Sequence, residues 1–345
     1  MKVGIIGANG YSGVELIRLL HQHPYVSIEV IVSNSNNGKN IAELYPHLMG
    51  ILEQQLSDLK VEEIAEKVDL IFFATPSGVS KDYVSLFVEK GIACIDLSGD
   101  FRLRDAVKYK EWYKKSHTNP DYLTKAVYGL SEFFHNQIKE ASIVANPGCY
   151  PTATLLGLLP ALQEGVIDPS TIIIDGKTGV SGAGRTPSLT AHFSEVNENV
   201  KAYKLGAHQH IPEIEQTIGD VTGNDFPISF SAHLVPMTRG IMCTMYGNLR
   251  ASTSEDQLID LYNNYYEQEP FVRIRPKGSW PSTKEVYATN YCDIGFMVDE
   301  RTKRVTIVAV IDNVVKGAAG QAIQNMNLLN GWDVETGLKQ TTVYP

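Results

Sequence analysis

The stretch that decides the fold, residues 2–20, reads KVGIIGANGYSGVELIRLL. It begins with an almost continuous run of apolar, largely β-branched residues, which is typical of a strand buried on both faces. Three glycines follow at Gly7, Gly10 and Gly13, and from Val14 onward apolar residues recur at helical spacing. A strand, a glycine turn and a helix in this order form a βα unit, so the segment predicts the first strand of a parallel sheet.

The same alternation continues up to residue 148. Four more strands are predicted by VSIEVIVSN (26–34), VDLIFFATPSG (68–78), GIACIDLSGDF (91–101) and SIVANPG (142–148), with helical stretches such as SKDYVSLFVEKG between them. Strands alternating with helices predict an α/β domain with a doubly wound parallel sheet of the Rossmann type.

After residue 148 the pattern changes to longer strands with irregular connections. These strands are predicted by TIIIDGKTGVSGAGR (171–185), FPISFSAHLVPMTRGIMCTMYGNLR (226–250) and RVTIVAVIDNVV (304–315), and TSEDQLIDLYNNYYEQE (253–269) predicts an amphipathic helix. This half is expected to be an α+β domain with a mainly antiparallel sheet. The last segment, VVKGAAGQAIQNMNLLNGW, is again predicted to be helical.

Bulk composition excludes several classes of protein. A chain of 345 residues with a net charge of -9 is large enough for two domains and is not built to bind nucleic acid or an anionic membrane. The N-terminus does not resemble a signal peptide, and no apolar run is long enough to cross a bilayer. Four widely spaced cysteines without metal-ligand spacing predict reduced thiols in a cytoplasmic protein.

The glycine turn is a variant of the dinucleotide-binding fingerprint. In isolation, GxxGxxG could be no more than a tight turn, but here it follows a strand and opens a helix, which favours a nucleotide pyrophosphate at the helix N-terminus. NAD-binding domains usually carry an acidic residue at the end of the second strand. This chain instead has Ser33, Ser35 and Lys39, which suit a 2′-phosphate, so NADP is the expected cofactor.

Cys149 stands between two prolines at the start of a predicted helix, in SIVANPGCYPTATLLGLLPAL (142–162). Cysteines are often only small buried hydrophobes, an interpretation that suits Cys94, Cys243 and Cys292. A helix N-terminus stabilises a thiolate, which favours Cys149 as a nucleophile. Near a nicotinamide, such a thiolate suggests acyl transfer to sulfur coupled with hydride transfer.

A histidine pair in GAHQHIPEIEQ offers the proton carrier that thiolate chemistry needs. His208 and His210 are two residues apart, so on an extended segment they face the same side, and Pro212 suits the first position of a following helix. Glu213 could orient one of the histidines or only serve the helix dipole. No cysteine or aspartate clusters with the pair, so acid/base chemistry is preferred over metal binding and no metal is expected.

Basic residues beside glycines could bind carboxylate or phosphate. They could equally form loop ion pairs, and their sequence positions alone do not choose among them. They are Arg102, Lys177, Arg185 and Arg239.

Taken together, the motifs resemble those of the N-acetyl-γ-glutamyl-phosphate reductase family of arginine biosynthesis, which is related to aspartate-semialdehyde dehydrogenase. The resemblance runs through GANGYSGVELIRLL, LYPHL, FFATPSG, DLSGDFRL, VYGLSE, ANPGCYPTA, SGAGR, HFSEVNENVKAY, HQHIPEIEQ and DNVVKGAAGQAIQNMN. It implies NADPH-dependent reduction of an acyl phosphate to an aldehyde through a thioester on Cys149. His210 matches the acid/base residue, with His208 nearby. Many relatives have Arg between these histidines, whereas this chain has Gln209, so no anion contact is carried over to that position.

The resemblance also implies site residues and an assembly. Residues 1–148 and 314–345 would form the NADP domain, with the C-terminal helix returning to it, and 149–313 the catalytic domain of a homo-oligomer, a dimer or a tetramer. The expected cofactor contacts are Gly7, Asn9, Gly10, Tyr11, Ser12, Gly13, Ser33, Ser35, Lys39, Thr75 and Pro76. The expected substrate contacts are Arg102, Ser181, Gly182, Arg185 and Glu195.

Two alternative functions stay open at this stage. One is a sister enzyme with the same chemistry that acts on aspartyl phosphate or α-aminoadipyl phosphate. The other is a non-catalytic module that senses NADP through the glycine turn, in which Cys149 would be no more reactive than Cys94. The cysteine and the histidine pair together disfavour the second alternative.

Overall fold

The computed structural model describes residues 1–344, which divide into two compact units. The first unit comprises Met1–Pro147 and Ala318–Lys339, and the second comprises Gly148–Gly317 and residues 340–344. The predicted first domain included 314–344 of the described residues, whereas 314–317 and 340–344 cluster with the second unit; Pro345 lies outside the described residues.

The first unit contains a six-stranded sheet in which every neighbouring pair is parallel. Its strands are β1 (Lys2–Ile6), β2 (Ser27–Val32), β3 (Leu70–Phe73), β4 (Ala93–Asp96), β5 (Val127–Tyr128) and β6 (Ile143–Ala145), in the order β2-β1-β3-β4-β6-β5. The central strands are buried on both faces, as their unbroken apolar runs predict. The doubly wound parallel sheet expected from the sequence is confirmed.

Helices and short turns connect these strands. The helices are α1 (Tyr11–Leu20), α2 (Ile41–Leu44), α3 (Val61–Ala65), α4 (Val84–Val88), α5 (Ala106–Tyr113) and α6 (Ser131–Lys139), with 3₁₀ turns at Asn34–Asn36, Pro46–Leu48, Ser80–Asp82 and Pro120–Tyr122.

The second unit contains a seven-stranded mixed sheet in which four of the six neighbouring pairs are antiparallel. The α+β half with a mainly antiparallel sheet is therefore confirmed. The strands are β7 (Ile167–Thr178), β8 (Lys201–Tyr203), β9 (Ser229–Leu234), β10 (Ile241–Leu249), β11 (Val272–Ile274), β12 (Cys292–Asp299) and β13 (Arg304–Ile311), in the order β11-β12-β13-β10-β7-β9-β8.

One long helix lies against this sheet and carries Cys149 at its start. Residues 150–162 of this helix are all buried, which explains why its sequence is apolar all round rather than on one stripe. The helices of this unit are α7 (Cys149–Gln163), α8 (Phe193–Val196), α9 (Ile211–Thr222) and α10 (Glu255–Tyr265), with 3₁₀ turns at Val180–Ala183, Leu189–Ala191 and Thr283–Val286.

The chain leaves the second unit through a π-helical turn, Val315–Ala319, and continues into α11 (Gly320–Leu329) of the first unit. Within residues 1–344, no helix is both long enough and apolar enough to span a membrane.

Candidate active site

The glycine turn of the first unit is fixed by close packing at two of its three glycines. Gly7 has φ +89°, and a Cβ there would lie 2.5 Å from the carbonyl oxygen of Ala74. A Cβ at Gly13 would lie 2.4 Å from the carbonyl oxygen of Gly7. At Gly10, the N-cap of α1, the nearest protein atom would be 3.5 Å away, so packing does not require glycine there. A nucleotide bound close to the backbone would account for Gly10.

A second observation at this edge of the sheet fits a bound nucleotide. The hydroxyl oxygen of Thr75, just after β3, is buried and has no hydrogen-bond partner within residues 1–344. A buried hydroxyl left unpaired is costly, and a ligand atom would satisfy it. Pro76 beside it is exposed, as is Tyr11, while Ser12 is partly exposed in the first turn of α1.

The expected 2′-phosphate site forms a small hydroxyl and amide cluster. The Ser35 hydroxyl accepts hydrogen bonds from the side-chain amides of Asn9 at 3.3 Å and Asn36 at 3.1 Å, and it lies 3.5 Å from the Ser33 hydroxyl. Lys39 Nζ donates to Asn36 Oδ1 at 3.2 Å. No acidic residue occurs between Ser33 and Lys39, so this cluster carries one positive charge and suits a phosphate better than a bare ribose hydroxyl.

Arg102 holds main-chain groups at the carboxyl ends of two strands of the first unit. Its Nε donates to the carbonyl oxygen of Asn146 at 2.8 Å, and its Nη2 donates to that of Leu97 at 3.0 Å. Arg102 is 7% exposed. These bonds fix the chain shortly after β4 and β6. A phosphate contact for this guanidinium stays a prediction.

In the second unit, Cys149 is the first residue of α7, with Gly148 as the N-cap. The free N–H groups and the dipole of this helix end stabilise a thiolate, and no acidic residue lies in its first turn. Cys94, Cys243 and Cys292 are buried, whereas Cys149 is partly exposed. Burial raises the pKa of the Cys243 thiol to about 12, so that thiol stays protonated at neutral pH.

The histidine pair lies beside this helix end. The ring centroids of His208 and His210 are 4.7 Å apart. A Cβ on Gly148 would lie 2.5 Å from Nε2 of His210, so the imidazole of His210 packs directly on the backbone that precedes the cysteine. His210 is the N-cap of α9, and Pro212 is the second residue of the helix, one position later than the sequence predicts.

The two histidines differ in their electrostatic environment. Burial, followed by the nearby charge of Lys204, lowers the pKa of His208 to about 4. The main-chain N–H of His210 donates to Nδ1 of His208 at 3.2 Å, so neutral His208 carries its proton on Nε2. His208 therefore suits a neutral packing role, which leaves His210 as the acid/base candidate.

An aromatic cluster that the sequence analysis did not identify surrounds the histidines. The Tyr150 ring makes edge contacts with both imidazoles, at centroid distances of 5.5 Å to His208 and 6.0 Å to His210. Tyr203 of β8 packs on His208 at 5.6 Å, and its hydroxyl donates to that of Tyr150 at 3.4 Å. Phe230 completes the cluster at 5.4 Å from His208. No pattern in the sequence joins these separated segments.

Two further positions contact the start of α7, and of these Gly317 was not predicted from the sequence. Glu213 is fully buried, and its Oε1 accepts a hydrogen bond from the Gly148 main-chain N–H at 2.7 Å. From the sequence, Glu213 was expected to orient a histidine or to serve the helix dipole, and its hydrogen bond to the Gly148 N–H was not predicted. Gly317, in the π-helical turn, would place a Cβ 2.7 Å from the Cβ of Cys149, so only glycine fits there.

The predicted substrate loop is partly ordered by hydrogen bonds within the second unit. The Ser181 hydroxyl accepts a hydrogen bond from the Asn313 side-chain amide at 2.9 Å, and the Ser181 N–H donates to the carbonyl oxygen of Thr238 at 3.0 Å. Gly182 lies beside Ser181 in the same 3₁₀ turn. Arg185 and Glu195 are exposed, and their contact with substrate stays a prediction. Within residues 1–344, no group of three or more histidine, cysteine, aspartate or glutamate side chains is placed so that it could hold a metal ion.

A parallel sheet with a dinucleotide-type glycine turn in one unit, and in the other a cysteine at a helix N-terminus near an imidazole, are features of thiol-dependent dehydrogenases. Family models agree with this class. Residues 2–141 match the semialdehyde dehydrogenase NAD binding domain, and residues 149–313 match the semialdehyde dehydrogenase dimerisation domain. Two relatives named N-acetyl-gamma-glutamyl-phosphate reductase, from Geobacillus kaustophilus and Bacillus subtilis, are 53% and 52% identical to this chain, each over 100% of both sequences. The chain therefore belongs to the semialdehyde dehydrogenase family, within the group of N-acetyl-γ-glutamyl-phosphate reductases.

Solved structures share the fold at low sequence identity. Aspartate semialdehyde dehydrogenase II from Vibrio cholerae superposes with a TM-score of 0.73 at 18% identity, covering 96% of this chain and 98% of that one. Aspartate semialdehyde dehydrogenase with NADP from Candida albicans gives a TM-score of 0.71 at 16% identity, covering 95% of this chain and 98% of that one.

Proposed function

We propose that this chain reduces N-acetyl-L-glutamyl 5-phosphate with NADPH to N-acetyl-L-glutamate 5-semialdehyde, releasing phosphate, as a step of arginine biosynthesis. The observation that carries the proposal is the identity of 52–53% over the full length to reductases of that name. The geometry at Cys149 and His210 supplies the groups that this chemistry needs.

The thiolate of Cys149 attacks the acyl carbon, the carbon–oxygen bond to phosphate breaks, and a thioester forms on sulfur. NADPH, when bound, supplies the hydride that reduces this thioester to a thiohemiacetal. His210 acts as the acid/base, giving a proton to the substrate oxygen as the thiohemiacetal forms and removing it as the carbon–sulfur bond breaks. The aldehyde leaves and the thiolate is regenerated at the N-terminus of α7.

The experiment that tests this proposal runs the reaction backwards, because the acyl phosphate is labile. Phosphate-dependent reduction of NADP⁺ by N-acetylglutamate semialdehyde is followed for the wild type, for Cys149→Ser and for Cys94→Ala as the matched control. Activity should vanish only in Cys149→Ser, with NADP binding retained. A wild type that binds NADP but prefers aspartate semialdehyde would overturn the substrate assignment.

Preference for NADP over NAD follows from the cluster at Ser35 and Lys39. Ser35→Asp would place a carboxylate against the 2′-phosphate, so we expect KM for NADP⁺ to rise more than about tenfold, which corresponds to about 1.4 kcal/mol. KM for NAD⁺ should stay the same or fall. Steady-state kinetics with both cofactors measures this, and an unchanged KM for NADP⁺ would place the 2′-phosphate elsewhere.

A homo-oligomer and a cytoplasmic location are part of the same proposal. The family name of the second unit, a dimerisation domain, supports self-association. The four free cysteines, with Cys149 needed as a reduced thiol, support a reducing compartment. Light scattering coupled to size exclusion would measure the mass, for which a value near 38 kDa, that of a single chain, would contradict a homo-oligomer.

A further inference from the structure

The loop that follows β3, residues 75–81, begins directly against the glycine turn. β3 ends at Phe73, and the carbonyl oxygen of Ala74 lies 2.5 Å from the position that a Cβ on Gly7 would take. The next residue, Thr75, carries the buried hydroxyl that has no hydrogen-bond partner in the part of the chain that the structure describes. The shape of this β3 loop therefore decides where the Thr75 hydroxyl points relative to the glycine turn.

One buried carboxylate, that of Asp100, binds the β3 loop. Asp100 is fully buried, and the main-chain N–H of Gly78 donates to both of its oxygens at 2.7 Å. Its Oδ2 also accepts hydrogen bonds from the Ser80 hydroxyl at 3.0 Å and from the Lys81 N–H at 3.3 Å. Donors from three residues of the loop thus converge on one side chain, and charge-assisted hydrogen bonds of this kind are roughly twice as strong as neutral ones.

The chain between β4 and β5 holds the same arrangement at two more points. The hydroxyl of Tyr109, a buried residue of α5, donates to Oδ1 of Asp100 at 2.8 Å. After α5, the Thr118 hydroxyl and the Asn119 side-chain amide donate to the carbonyl oxygen of Lys81 at 2.8 Å and 3.0 Å. Asp100 is therefore itself held in place, and the end of the β3 loop is fixed as well.

The contacts of Asp100 select one conformation of a segment without regular structure. Residues 75–79 belong to no helix or strand, and the 3₁₀ turn Ser80–Asp82 follows them. Backbone N–H groups of such a segment can bond to water instead, so the loop keeps one shape only where the protein supplies an acceptor. Side chains that contact a ligand must be held to within about 0.5 Å, which hydrogen bonds to the elements that carry them achieve.

We propose that Asp100 is a positioning residue of the cofactor site, whose carboxylate fixes the β3 loop so that the Thr75 hydroxyl meets bound NADP. This inference rests on the proposed function, because it takes NADP to bind at the glycine turn. Asp100 acts through the backbone between Gly78 and Thr75 and does not touch the cofactor itself. The stretch DLSGDFRL suggested only Arg102 as a site residue, and the structure adds Asp100 to it.

The test measures the Kd of NADP⁺ by isothermal titration calorimetry, without substrate. Asp100→Asn keeps the size of the side chain but turns an amide group toward the loop donors. Its Kd should rise about tenfold, which corresponds to the loss of about one hydrogen bond to the ligand, that of Thr75. Asp105→Ala is the matched control, because Asp105 also accepts main-chain N–H bonds, but those of Val107 and Lys108 in α5. It should lower the Tm and leave the Kd of NADP⁺ unchanged.

Two double variants separate positioning from general destabilisation. Thr75→Val removes the hydroxyl itself and should raise the Kd about as much as Asp100→Asn. If Asp100 acts through Thr75, combining these two substitutions should cost no more affinity than the larger single effect. Ser35→Ala alters the cluster after β2, so its effect should add to that of Asp100→Asn. Circular dichroism checks that each variant is folded.

Three outcomes overturn the inference: an unchanged Kd in Asp100→Asn, additive losses when Asp100→Asn is combined with Thr75→Val, or the same loss of affinity in Asp105→Ala. If Asp100→Asn does not fold, Ser80→Ala takes its place, since it removes one loop donor and should raise the Kd in the same way by a smaller factor. A wild type that does not bind NADP⁺ refutes the proposed function, and the inference falls with it. The wild-type titration therefore distinguishes the two failures.

Discussion

His208 is an imidazole that burial keeps neutral. Its role could not be predicted from the residue types alone. The sequence places two histidines side by side but does not distinguish their roles. The difference comes from the packing of Tyr150, Tyr203 and Phe230 around His208, with the charge of Lys204 nearby. These contacts join segments up to 80 residues apart, as between Tyr150 and Phe230, so no local pattern reports them.

The lowered pKa of His208 makes the stability of the protein pH-dependent. Between about pH 6.5 and pH 4 the unfolded chain binds a proton at this position and the folded chain does not, so the free energy of unfolding falls as pH falls. The full effect is about 3 kcal/mol. His208→Asn keeps an acceptor for the His210 N–H but has no group that titrates in this range. In this variant the free energy of unfolding should therefore decrease by about 3 kcal/mol less than in the wild type as the pH falls. Urea denaturation at pH 7 and pH 4.5 measures it.

Substitutions of the two histidines should differ in their effect on kcat. His210→Asn should lower kcat about 10²- to 10⁴-fold because it removes the acid/base group. At pH 7, His208→Asn should cost much less, since His208 stays neutral there. Equal losses of kcat in the two variants would contradict the assignment of His210 as the acid/base residue.

The absence of a side chain at Gly148 leaves the space that the imidazole of His210 occupies. In Gly148→Ala the new Cβ would meet the imidazole at 2.5 Å, so the ring must move. A displacement of about 1 Å is enough to lower kcat by about 10²-fold. Alkylation of Cys149 should persist, because the helix N-terminus remains. Gly4→Ala is the control, since its Cβ would meet no atom closer than 3.5 Å, and comparable losses in both variants would refute the explanation.

At the scale of elements, α9 supports the start of α7 through one buried hydrogen bond. In Glu213→Ala the Gly148 N–H loses its acceptor, which should lower the free energy of unfolding by about 1–3 kcal/mol and slow the alkylation of Cys149. Glu213→Gln keeps an acceptor oxygen and should recover most of both. Thermal denaturation and iodoacetamide kinetics measure the two effects. If Glu213→Gln behaves like Glu213→Ala, the carboxylate charge rather than the hydrogen bond is what matters.

The elements that the sequence predicted are those with strong local patterns. The strand and helix around the glycine turn, the helix at Cys149 and the amphipathic helix near 255–265 all have apolar residues at clear periods. The short strands β5, β8 and β11 have two or three residues each and exist only because a neighbouring strand pairs with them. Such pairing depends on distant residues, which explains why they were not predicted.

At the scale of the whole molecule, NADP should stabilise the unit that binds it. A ligand present at about 100 times its Kd adds about 2.7 kcal/mol to the free energy of unfolding of the part that it binds. Calorimetry should show this shift equally in the wild type and in Cys149→Ser, because the expected cofactor contacts all lie in the first unit. An absent shift would argue against the glycine turn as the cofactor site. NAD at the same concentration is the control and should shift the transition less.

The polypeptide chain enters the second unit at Gly148 and leaves it at Gly317, and these two points lie close together. Gly317 packs on Cys149, and in the first unit the Asn146 side chain donates to the carbonyl oxygen of Ala318 at 3.2 Å. A polypeptide insert whose two ends meet can be removed or exchanged without stretching its host. Residues 148–317 are thus an insertion that could be replaced as one segment. If a short glycine–serine linker joins Pro147 to Ala318, the first unit should fold alone and bind the nucleotide. A different domain inserted at the same position should give a chimaeric protein.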